Sequence, residues 1–303
     1  MDLRLPELHA SILDTVRRFA ASELSPRAHA LEEGEGVAQA NAAFDALDLW
    51  GLTLPEERGG AGLDALAYAL VVEALAGGSP SLAWRFAVHA GPASAALSSS
   101  SLDLTAACNG KLASFVAADS RLAPRAQSHW VLESGEILAA DALAAEAITP
   151  LGLRGADLVR VEARDTVGAD PSLRHWYELG AAALMVGAAA AAVETARVYA
   201  LDRRQFGAPI ASLQAIQFKL ADGLTELDAA RLLVRRAATE GRGAGAARML
   251  AGRAATRAAS EALQIHGGYG YTREYPVERQ LRAIRMLAKA DAARTSVAAD
   301  ALR

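Results

Sequence analysis

A single cysteine, Cys108, stands in 303 residues. One thiol cannot close an internal disulfide or build a multi-cysteine metal site, and so little cysteine fits a reducing cytoplasm. Charge imbalance is small as well. The formal net charge is −4, so no global basic field recruits nucleic acid. Lysine is nearly missing: Lys111, Lys219 and Lys289 stand against a large majority of arginine. No uninterrupted run of ~20 apolar residues suggests a membrane span, and the opening "MDLRLPELHASILDTVRRF" lacks the apolar core of a signal peptide. "AAALMVGAAAAAV" is short and alanine-rich, and reads as a buried helix. What is present is a chain 52% hydrophobic and 22% charged. That composition suits a soluble globular protein of one or two domains with a sizeable core.

Periodicity divides the chain in three. In "LHASILDTVRRFAASEL", Leu8, Ile12, Val16 and Phe19 recur at helical spacing. A Pro- and Gly-rich turn from Pro55 to Gly62 precedes another helical pattern, and Pro80 opens a further one. From about Cys108 to Asp165 the period shortens, with Ser134-Gly135 as a turn, which predicts a few strands. From Trp176 the pattern is helical again: one long helix ending near Gly207, two more, and a fourth opened by Pro276. The expected fold is mostly α, of the α+β class. It comprises an N-terminal helical domain (1–105), a reduced β insert (106–172) and a C-terminal four-helix bundle (173–303). Fewer than about ten strands and no parallel sheet are expected.

Taken singly, the polar motifs are ambiguous. Gly267-Gly268 reads first as a helix stop, and second as a place where backbone N–H groups can approach a phosphate. Arg203-Arg204, at a helix C-terminus, answers the macrodipole. Phe206, nearby, reads as core. Arg279, Arg282 and Arg285 read as a solvated face.

In combination the motifs are specific. "YALDRRQFGAPIASLQAIQFKLAD", "EALQIHGGYGYTREYPVERQLR", "LTLPEERGGAGLDALAYALVVEAL" and "LGLRGADLVRVEARD" resemble, in order and spacing, the acyl-CoA dehydrogenase family of flavoproteins. The resemblance covers nearly the whole chain. It implies FAD as cofactor, with Arg203, Phe206, Gln214, Gln264, Gly267 and Gly268 against its ADP half. In that family these groups reach across a subunit interface to the FAD of a neighbouring chain. It further implies an acyl-CoA substrate and an assembly, either a homo-oligomer or a heteromer with a second acyl-CoA dehydrogenase subunit. Heteromeric members act on bulky thioesters such as steroid side chains.

The resemblance also implies the chemistry. A carboxylate removes the α-proton of the thioester while hydride leaves the β-carbon for the flavin. The family's base is a Glu followed by Gly-Thr, sixteen residues after the Tyr of Tyr-Pro-x-Glu. Counting from Tyr275 reaches Asp291, one methylene shorter and followed by Ala292-Ala293. A second family position for the base falls on Tyr177, with Glu178 beside it. The stretch that lines the flavin ring corresponds to Ala118-Asp119-Ser120, and its aromatic shield is replaced within "SGEILAADA". Three readings follow: a degenerate subunit completing a heteromeric enzyme, a self-sufficient enzyme using Asp291, and a non-enzymatic scaffold.

Overall fold

The computed structural model describes residues 4–162, 169–288, 294, 297 and 298. Helices α1 (Glu7–Phe19), α2 (Ala28–Glu32), α3 (Val37–Asp45), α4 (Ala65–Gly78), α5 (Pro80–Val88), α6 (Ser94–Ser98) and α7 (Thr105–Cys108) come first. Pro80 opens α5 as expected, and two side-chain caps add to it. Asp64 caps α4 by accepting the Ala67 N–H, and Ser79 with Pro80 starts α5. In α1 the buried residues are Leu13 and Val16, whereas Leu8 is 57% exposed. The apolar stripe thus runs from Leu13 through Val16 and on to buried Ala20, leaving Leu8 outside it.

Six short strands follow: β1 (Ser114–Val116), β2 (Leu122–Pro124), β3 (His129–Leu132), β4 (Ile137–Ala139), β5 (Ala145–Ala147) and β6 (Leu158–Val161). They form two three-stranded sheets, β1-β3-β4 and β2-β6-β5. Ser134-Gly135 is the expected turn, Gly135 sitting at φ +90° between β3 and β4. One expectation fails, because β1 pairs parallel to β3, Ser114 opposite Trp130. The crossover between them is β2, a strand of the other sheet, so the parallel pair needs no βαβ helix and left no helical period in the sequence. Val116, Trp130, Leu132, Val159 and Val161 form a small core of their own for this β region.

The remainder is α8 (Pro171–Asp202), a hairpin of β7 (Arg204–Gln205) and β8 (Ala208–Pro209), α9 (Gln214–Glu240), α10 (Ala244–His266) and α11 (Val277–Leu287). Helix α8 is the hub, packing on α4, α9, α10 and α11. It is long and apolar enough to cross a membrane, yet 78% of its apolar window is buried inside the protein, as befits a core helix. Small residues make this possible. A Cβ on Gly187 would lie 2.1 Å from the Glu73 carbonyl oxygen of α4. Arg231 of α9 closes the same junction by donating to the Glu73 carboxylate at 2.7 Å.

Candidate functional site

Three ends converge beyond the C-terminus of α8. Helix α8 stops at Asp202, the β7–β8 hairpin turns through Phe206 and Gly207 with positive φ, and α10 stops where Gly267 takes φ +59°. Between them lies a cavity of about 480 Å³, walled by Tyr199 and Arg203 on one side and by His266, Gly267, Gly268 and Tyr269 on the other. The Tyr199 and His266 rings stack at 4.4 Å, and Tyr275 meets both edge-on or tilted. The Arg203 guanidinium lies 6.0 Å from the centre of the Tyr269 ring.

His266 is 2% exposed. Its Nδ1–H donates to the Ala262 carbonyl at 2.8 Å, a carbonyl being able only to accept. Nε2 is therefore the acceptor nitrogen, and it is buried without a hydrogen-bond partner. Burial holds the imidazole below its ordinary pKa, against the opposing hydrogen bond to Ala262. The His266 ring thus forms part of the cavity wall while its Nε2 lies buried behind it.

Of the six residues assigned to the ADP half, the structure brings Arg203, Gly267 and Gly268 to this one cavity. The others do not line it. Phe206 is 97% exposed at the hairpin tip, Gln214 is the exposed first residue of α9, and Gln264 is on the exposed face of α10's last turn. The sequence reading missed Tyr199, His266 and Tyr269. Tyr199 was findable, since it lies four residues before Arg203 on one helix face. The two glycines differ from Gly270. No atom lies within 4 Å of a Cβ built on Gly267 or Gly268, whereas one on Gly270 would lie 2.6 Å from the Leu263 carbonyl. Gly268→Ala should accordingly leave the thermal midpoint nearly unchanged, within ~0.5 kcal/mol, while Gly270→Ala should lower it clearly. Melting curves of the two variants check this.

At the start of α8 the β region presents the opposite picture. Glu133, 4% exposed, accepts from Arg174 Nε at 2.7 Å and Nη2 at 2.6 Å. The same carboxylate takes the Ala118 N–H at 2.8 Å. Asp119 stands 3.6 Å from Arg174 Nη1. Burial by itself would lower the Arg174 pKa, but the Glu133 and Asp119 carboxylates beside it raise it. Tyr177 lies between two guanidinium groups, with Arg174 5.7 Å and Arg248 5.4 Å from its ring centre. Its hydroxyl is hydrogen-bonded to Ser120, and burial pushes its pKa up. The polar groups of Ala118-Asp119-Ser120 are thus engaged within the chain. Arg248, 4% exposed, reaches the Leu287 carbonyl at the end of α11. Asp291 lies outside the described residues. At the second base position, Tyr177 is packed against Trp84 and Phe115, and Glu178 is buried and engaged within the protein.

A helical N-terminal layer, a small β region and a helical bundle with a glycine-edged cavity make up the architecture. The comparisons make it specific. Residues 6–101 match the acyl-CoA dehydrogenase N-terminal domain, and residues 177–291 match the acyl-CoA dehydrogenase C-terminal domain. A probable acyl-CoA dehydrogenase of Bacillus subtilis, YngJ, is 31% identical, the alignment covering 95% of each chain. The human mitochondrial short-chain specific acyl-CoA dehydrogenase is 30% identical over 94% of this chain and 86% of its own length. Butyryl-CoA dehydrogenase from Megasphaera elsdenii superposes over the whole of both chains with a TM-score of 0.85 at 23% identity, which speaks to the fold. The chain belongs to the acyl-CoA dehydrogenase family, a family of FAD-dependent oxidoreductases. The alignment with YngJ runs to 361 residues, longer than this chain, so the relative carries residues that are missing here. The two matched domains leave only residues 102–176 between them, where the β region lies.

Proposed function

We propose that this chain is the reduced subunit of a heteromeric acyl-CoA dehydrogenase, lending its Arg203–Gly268 edge to the FAD of a longer partner subunit in the cytoplasm. One contrast carries the reading. The glycine-edged cavity is open, with the Arg203 guanidinium and the bare Gly267 and Gly268 in its wall. The flavin-ring stretch, Ala118 to Ser120, is instead tied up by Glu133, Arg174 and Tyr177. FAD, when bound, supplies the acceptor for the hydride leaving the β-carbon of an acyl-CoA thioester. This chain's residues do the binding. The Arg203 guanidinium answers the pyrophosphate charge, and the bare Gly267 and Gly268 let the backbone approach it. Gln214 and Gln264 add exposed amide donors, and Phe206 presses an apolar ring against the partner.

Exposed apolar side chains support an assembly. Phe206 at the hairpin tip, Leu213 before α9, and Phe218 and Leu224 on α9 are all exposed, apolar surface that another subunit could bury.

The test is the visible spectrum and FAD content of the purified chain, alone and co-expressed with a longer family member. Alone it should hold well under one FAD per chain. In the heteromer, Arg203→Ala should weaken FAD retention ~10- to 100-fold through loss of a charge-assisted contact. One tightly held FAD per chain in isolation, with turnover abolished by Asp291→Ala, would establish the self-sufficient reading instead. A chain that binds neither FAD nor a partner would establish the scaffold.

A further inference from the structure

A second, smaller cleft of about 130 Å³ lies where α2, the 151–156 turn and α11 meet. It is separate from the glycine-edged cavity, although one segment borders both: Tyr269 and Thr272 face the larger cavity, Tyr271 and Arg273 the smaller. Four arginines line it, Arg154, Arg273, Arg279 and Arg282.

Its carboxylates are mostly used up. Glu32 is buried and accepts from Ser81 Oγ, from the Arg154 backbone N–H at 3.3 Å and from Arg282 Nη1 at 3.3 Å. Glu278 is held by Arg282 through Nε at 2.7 Å and Nη2 at 3.2 Å. Glu33 lies 3.9 Å from both Arg154 and Arg273, beyond hydrogen-bonding length. Donors are left over. Arg279 feels the Glu278 and Glu32 carboxylates only through space, with no hydrogen bond to either among the described residues, and Arg154 Nε is buried without a partner there. Among the described residues, four arginines and one histidine face three carboxylates in this cleft.

We propose that this cleft binds an oxyanion, specifically a phosphate monoester or pyrophosphate group. Guanidinium forks on Arg154, Arg273 and Arg279 approach from three chain segments. A carboxylate's two oxygens suffice for one fork, whereas the three or more oxygens of a phosphoryl group serve several at once. The volume admits a phosphate and leaves any attached nucleoside outside. The phosphoryl group can come from free phosphate, from the 3′-phosphate of coenzyme A or from a dinucleotide pyrophosphate. None of these requires the partner subunit, so the site stands apart from the reading above.

Isothermal titration of the purified full-length chain tests it, using inorganic phosphate, coenzyme A, dephospho-coenzyme A and FAD as separate probes. Inorganic phosphate should bind, and Arg279→Gln should weaken it at least ~10-fold with the melting temperature unchanged. Glu33→Gln should tighten it several-fold by removing the least neutralised carboxylate. Arg253→Gln, in a different groove on α10, should change nothing. Coenzyme A binding more tightly than dephospho-coenzyme A assigns the site to the 3′-phosphate. FAD displacing phosphate assigns it to a pyrophosphate, and neither effect assigns it to free phosphate. Absence of phosphate binding at about 10 mM, or binding that Arg279→Gln leaves untouched, overturns the proposal.

Discussion

Gly155→Ala should destabilise this protein by roughly 3–5 kcal/mol, enough to lower the thermal midpoint by about 10 °C. A Cβ at that position would stand 1.8 Å from the Leu31 carbonyl oxygen and 3.3 Å from Glu32 Cα. Both neighbours are backbone atoms of buried residues in α2, so no side chain can swing aside. The turn itself has little freedom, because Leu153 and Asp157 on either side already occupy left-handed φ, at +58° and +50°. Gly152 has the same character, its Cβ falling 2.5 Å from the Arg282 carbonyl carbon in α11. The segment "LGLRGAD" is thus a joint, pressing one glycine on α2 and the other on α11. Gly77→Ala is the control. Its Cβ would meet nothing within 4 Å inside α4, and the change should stabilise by about 0.5 kcal/mol. Thermal melts of both variants decide the matter, and equal midpoints would remove the joint from the account.

Glu133→Ala should cost a similar amount, about 3–5 kcal/mol. The side chains of Glu133 and Arg174 are 4% and 14% exposed. Removing the carboxylate strands a desolvated guanidinium and leaves the Ala118 N–H without its acceptor. Replacing the pair by apolar residues of matching volume, Glu133→Leu with Arg174→Met, should recover the part of the loss that comes from the stranded guanidinium, while the Ala118 N–H still lacks its acceptor. Urea unfolding of the single and double variants measures this. A single variant as stable as the unmodified chain would mean that the network is not structural, and the argument that it occupies the flavin-ring side would fall with it.

Much of this was legible in the sequence, for identifiable reasons. Helix positions followed from breakers that act locally, such as the Pro55–Gly62 turn, Pro80 and Pro276. The shortened β region showed as a change of period. The glycine pair and Arg203 could be placed on one site because the family resemblance supplied the pairing that spacing alone could not. What was misread depended on packing at a distance. Leu8 has the spacing of a core residue but falls outside the buried stripe of α1. The parallel β1–β3 pair has no local signature, because its crossover is a strand of the other sheet. Arg279 and Arg282 read as one solvated helix face. The structure separates them: Arg282 is locked to Glu278 and Glu32, while Arg279 opens on a cleft.

By itself the sequence determined the layering of helices, strands and bundle, the family, and the residue types available at each end of α8. These follow from hydrophobic period and turn chemistry, which act over a few residues. Tertiary structure alone decided that His266 is buried at the wall of a cavity, that Glu133 claims both Arg174 and the Ala118 N–H, and that four arginines share one cleft. Those outcomes depend on which distant groups are desolvated together. Burial sets the cost of leaving a donor, acceptor or charge unpaired, and burial is a property of the whole fold.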